Sequence, residues 1–139
     1  MQIKKISIFF GVLFFLHSLI CFGKDAELKK DLIATRKLAS RIIQWSLEGK
    51  VDELWAVSSK EKINELIKQF GSELKAKEAL QKQYSKIKIH HWKIVKENYE
   101  KIHDSMMITL DVFLKEDDKK PQKKQLVFIR ELGLWKWRY

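Results

Sequence analysis

Near Ile87 the spacing of apolar residues changes from three-and-four to two, and this switch constrains the chain to place its helices first and its strands last. Upstream, Leu28, Leu32, Thr35, Ala39, Ile42 and Ser46 recur at helical spacing, with Leu38 and Trp45 beside them, and Gly49 supplies the stop. A short second helix carries Val51, Leu54, Trp55 and Val57. Ser58 and Glu61 have capping-box spacing and open a third helix with Ile63, Leu66, Ile67 and Phe70 as its apolar face. Gly71 ends it, and Ser72 caps a fourth helix that runs through Leu74 and Leu80.

Downstream, four strands are legible. The first runs from Ile87 to about Asn98; its apolar set slips phase between Ile89 and Trp92, which predicts a bulge near His90 and His91. The second starts at Ser105, with Met106, Ile108, Leu110, Val112 and Leu114 on one face and Met107, Thr109, Asp111 and Phe113 on the other. A polar loop around Pro121 leads to a third strand at Leu126 to Ile129. Gly133 makes a tight turn, and Leu134 to Tyr139 close the sheet with Trp135, Trp137 and Tyr139 on one face. Helices followed by an antiparallel meander predict an α+β fold, not an alternating α/β one.

The charge-free run Ile6 to Gly23 behind Lys4 and Lys5 has the basic and apolar regions of an export signal. Cys21 and Gly23 are the small residues at its end, so cleavage is expected between Gly23 and Lys24. Residues 1–23 then read as a signal peptide and 24–139 as one exported domain, periplasmic or secreted. Two alternatives stay open: lipidation at Cys21, where bulky Ile20 departs from the lipoprotein pattern, and retention of the run as a membrane anchor. Cys21 is the one cysteine of the chain, so cleavage leaves a domain that must be held by its packed core without disulfides. Loss of Lys4 and Lys5 takes the formal net charge from +10 to +8, and the domain stays basic.

The long first helix ending in Gly49-Lys50-Val51-Asp52, the short helices after it, and strands closing on Leu126-Val127-Phe128-Ile129-Arg130-Glu131-Leu132-Gly133-Leu134-Trp135-Lys136-Trp137 together resemble the nuclear transport factor 2-like superfamily. The resemblance covers about residues 25 to 139. It implies a cystatin-like cone fold, with N-terminal helices on a curved antiparallel sheet of about four strands enclosing an apolar cavity. It also implies a range of roles, from ketosteroid isomerase-like and dehydratase-like enzymes to small exported domains that bind ligands or partners, or dimerise through the sheet.

An enzyme of that kind needs a carboxylate or a His–Asp pair inside the cone, where burial raises the carboxyl pKa. Asp111 is the best acid, but its strand-mates Thr109 and Phe113 place it on the solvent-facing side. His90 and His91 splay to opposite sides of a strand and cannot jointly hold one metal, and His103 with Asp104 falls in a turn. No phosphate-cradling glycine loop, nucleophile elbow or spaced ligand set is present. No catalytic residue, metal ligand or cofactor is assigned.

Of the five tryptophans, Trp55, Trp92, Trp135 and Trp137 are the expected pocket-lining residues, because core and cavity wall coincide in a cone. Lysines such as Lys68, Lys75, Lys77 and Lys82 have acids three or four residues away, the pattern of a solvated face. Nucleic acid is not expected as a partner of an exported protein; weak attraction to an anionic envelope surface is. The sequence therefore predicts a ligand-binding or protein-interaction module of the cell envelope, with a small apolar ligand or a homodimer through the sheet as its partner. The alternative is a small cone-fold lyase or isomerase using a buried carboxylate or histidine.

Overall fold

The computed structural model describes residues 4–138 in backbone and 24–138 in side chain. The signal-peptide reading of 1–23, including Cys21 and Gly23, lies outside the described side chains, as does Tyr139. Among the described residues no helix is long and apolar enough to cross a membrane. The chain forms two compact units, Met1–Ile33 and Ala34–Tyr139. The first is helical from Lys4 onward and belongs to α1 (Lys4–Glu48), whose remainder opens the second unit. That unit continues with α2 (Val51–Val57), α3 (Lys60–Phe70), α4 (Glu73–Tyr84), β1 (His91–Glu100), β2 (Ser105–Phe113), β3 (Gln122–Glu131) and β4 (Leu134–Trp137). The strands form one antiparallel sheet in the order β1-β2-β3-β4. Helices precede sheet, and the fold is α+β.

Gly49 ends α1 with a φ of +68°, in a Schellman arrangement: its N–H donates to the Ser46 carbonyl at 3.4 Å and that of Lys50 to the Trp45 carbonyl at 2.8 Å. The buried stripe is Thr35, Ala39, Ile42 and Ser46, with Ile43 alongside, following the helical spacing. At the next junction the two serines divide the work differently from the capping box expected at Ser58. Ser58 donates back to the Leu54 carbonyl at 2.8 Å, and Ser59 caps α3 by accepting from the Lys62 N–H at 3.2 Å. Both serines are extended, and the Ser59 N–H donates to the Trp137 carbonyl at 2.7 Å, which fixes Ser59 against the last strand with its hydroxyl at the start of α3. Glu61 turns away to Arg138 at 2.7 Å, while Glu131 accepts from the Lys60 N–H at 3.1 Å. Ser59→Ala is expected to lower stability by about 1 kcal/mol, the usual cost of a lost N-cap, measured as a shift in the urea midpoint.

β1 starts four residues later than the period-two reading. Ile87 and Ile89 belong to the connection from α4, and the register shift falls between Ile94 and Lys96, not at His90 and His91. The bulge lets the inward set pass from Trp92 and Ile94, opposite Val112 and Leu110, to Glu97 and Tyr99, opposite Ile108 and Met106. Inward Glu97 receives both a bond from Arg36 Nε and one from Nη2, the latter at 2.6 Å. In β2 the alternation is clean: Met106, Ile108, Leu110 and Val112 are buried at 4 % exposure or less. Leu132 and Gly133 both take positive φ, 51° and 79°, as a two-residue turn between β3 and β4 requires.

Candidate functional site

In the Ala34–Tyr139 unit a cavity of about 840 Å³ lies between helices and inner sheet face, a size typical of small-molecule sites. Its walls are Ile42, Ile43 and Ser46 of α1, Leu66 of α3, Leu80 and Tyr84 of α4, Leu110 and Val112 of β2, Leu126 of β3 and Trp137 of β4. Ile87 and Ile89 of the α4–β1 connection also line it. The α3 face Ile63, Leu66, Ile67 and Phe70 is only half-buried, and its Leu66 opens onto this space.

Five lysines line the same cavity: Lys62 of α3, Lys86 and Lys88 of the α4–β1 connection, Lys115 of the β2–β3 loop and Lys124 of β3. Its polar remainder is Ser46, the Tyr84 hydroxyl, Gln83, Gln122 and Gln125; no aspartate, glutamate or histidine is among the lining residues. Lys62 sits with its Nζ 3.8 Å from the centroid of the Trp137 ring, a cation–π contact. Trp137 is 8 % exposed, and its buried indole N–H has no hydrogen-bond partner among the described residues.

Burial pushes the Lys62 ammonium below the ordinary lysine value of 10.5, with Glu65 acting the other way. A base with a lowered folded pKa binds more protons unfolded than folded, so stability rises with pH between the folded pKa and the unfolded one. The unfavourable contribution is complete below that window and gone above it. Lys62→Met is expected to gain most over the parent at neutral pH, and the gain shrinks as pH approaches about 10. Burial raises the Tyr84 phenol, so its contribution falls with rising pH above its unfolded value of 10.0. Comparing parent and variant by denaturation at each pH cancels Tyr84; a pH-independent difference contradicts the assignment.

Of the four tryptophans expected to line a pocket, Trp137 does so. Trp55 is buried in α2 with Lys77 Nζ 5.3 Å from its ring centroid. Trp92 lies opposite Val112 on the inner face without lining the cavity, and Trp135 stacks under Arg130 at 4.5 Å. Asp111 lies on the outer face as expected but is buried, at 8 % exposure, where it accepts from Lys123 Nζ at 3.0 Å and has Lys93 as its β1 neighbour. His91 stacks on Phe113 at 4.0 Å and His90 meets it edge-on. His103 pairs with Glu100, while Asp104 accepts from Tyr99 and Arg130. Among the described residues no group of three or more histidine, cysteine or acidic side chains could hold a metal ion. The lysines of the cavity were legible in sequence only as members of solvated faces, because their convergence depends on tertiary structure.

No family model matches the sequence, and comparison with curated proteins finds no match.

Proposed function

We propose that the chain is a ligand-binding module whose helix-and-sheet unit takes up a largely apolar small molecule. The observation that carries this reading is the 840 Å³ cavity walled by aliphatic side chains and Trp137. The lining offers no carboxylate or imidazole to move a proton, which favours binding over the lyase or isomerase alternative. Helices followed by a four-stranded antiparallel meander are consistent with the nuclear transport factor 2-like resemblance. Export to the cell envelope rests on the sequence: the basic pair, the apolar run and the small residues at its end.

The full chain is expected to enhance the fluorescence of the neutral dye N-phenyl-1-naphthylamine. Leu126→Trp, which fills the cavity, should weaken dye binding on the order of tenfold or more. Val127→Trp, one residue on and facing the opposite side of the sheet, should leave it in place. Equal binding by both variants, or none by the parent, contradicts the proposal.

A further inference from the structure

We infer that the ligand of this cavity is a long-chain fatty acid, held with its acyl chain along the aliphatic walls and its carboxylate among the lining lysines. The inference rests on the ligand-binding reading and adds the chemistry of the ligand's head.

Charge distribution is the first ground. The chain carries 18 acidic residues; Lys50 and Lys123 are each ion-paired with one, and Lys77 with two. Lys62, Lys86, Lys88, Lys115 and Lys124 are not: among the described residues none of the five forms an ion pair, and no acid lines the space they share. They come from separate parts of the chain, so their convergence is not a run of like charge on one helix face. A cavity with greasy walls and only cations among its charged groups complements an amphiphile with an anionic head; it disfavours a cationic one and leaves the lysines unused by a neutral one.

The second ground is Trp137. Its indole N–H is buried, belongs to a lining side chain and has no acceptor among the described residues, while Lys62 stands over the same ring at 3.8 Å. A buried donor without a partner is uncommon in folded proteins, and the Lys62 ammonium over the same ring makes this wall of the cavity electropositive.

Calorimetric titration of the full chain with myristate, tetradecanol, tetradecyltrimethylammonium and 1-myristoyl-lysophosphatidylglycerol, each below its micellar concentration, tests this. Myristate is expected to bind about tenfold or more tighter than tetradecanol, the cationic amphiphile weakest, and shortening the fatty acid by two methylenes should cost about tenfold. Leu126→Trp should abolish the myristate signal, which separates the cavity from any apolar surface elsewhere in the chain. Lys86→Gln, Lys88→Gln and Lys124→Gln combined should bring the myristate-to-tetradecanol ratio close to one; Lys88→Gln and Lys124→Gln singly, both at exposed positions, give the same readout if the triple variant fails to fold. Equal binding of myristate and tetradecanol overturns the fatty-acid inference and leaves the apolar-ligand reading standing. Tighter binding of the lysophospholipid overturns it in favour of a lipid headgroup. Failure of all four, together with failure of the neutral dye, brings down the ligand-binding reading itself.

Discussion

Phe128→Ala is expected to destabilise the Ala34–Tyr139 unit by about 3–5 kcal/mol, the range for truncating a fully buried phenylalanine. Phe128 is 0 % exposed and occupies the middle of the inner face, with Met106 of β2 and Trp137 of β4 as its register partners. Its removal takes packing from the point where the sheet's last strand is fixed to the helices through the Ser59 N–H bond to the Trp137 carbonyl. Net stabilities of domains this size are about 5–15 kcal/mol, so the variant should lie near the edge of folding. Urea denaturation followed by far-ultraviolet circular dichroism measures it. Phe128→Leu, which keeps most of the volume, should lose much less. A change below about 1 kcal/mol for the alanine variant means that the inner face is not packed as the structure has it.

The parts of this fold that could be read in the sequence are those where one local pattern decides. β2 alternates Met106, Ile108, Leu110 and Val112 inward without interruption, and one buried face fixes such a strand's register. Gly49 and Gly71 mark helix ends because both sit at positive φ, 68° and 87°, which most other residues avoid. The misreadings occur where tertiary contacts choose between equal local options. Ser58 and Ser59 are both good caps, and a backbone bond from β4, far along the chain, selects Ser59. Ile87 and Ile89 have the period of a strand and alternate in burial with exposed Lys86 and Lys88, but no neighbouring strand pairs with them. Asp111 was legible as outward-facing and not as buried, since its neighbours Lys93 and Lys123 come from the two flanking strands.

The site was less legible than the fold for the same reason. Trp137 could be anticipated as a wall because the closing strand must face the core. Trp55, Trp92 and Trp135 are equally apolar, and none of the three lines the cavity, a difference that only tertiary structure shows. The lysines are the extreme case: each taken in its own segment is an ordinary surface residue, and their shared property is spatial.

Leu110→Ala gives the largest effect expected to depend on ligand. Leu110 is 1 % exposed and forms part of the cavity wall, so truncation should cost the ligand-free protein about 2–5 kcal/mol and enlarge the cavity. The void left by the truncation is apolar and accepts apolar guests, so a bound chain can recover contacts that the lost side chain made. Ligand that binds only the folded state adds RT ln(1 + [L]/Kd), about 2.7 kcal/mol at a hundredfold excess over Kd. If the enlarged space gains affinity, the variant should be stabilised by ligand more than the parent is. Leu54→Ala provides the comparison, because Leu54 is also 1 % exposed but lies on α2 and does not line the cavity. It should lose a similar amount of stability and gain from ligand no more than the parent. Thermal denaturation of the three proteins with and without myristate separates the cases. A larger ligand-induced stabilisation in the Leu110 variant alone locates the guest against β2; an equal response in both variants would place it elsewhere on the protein.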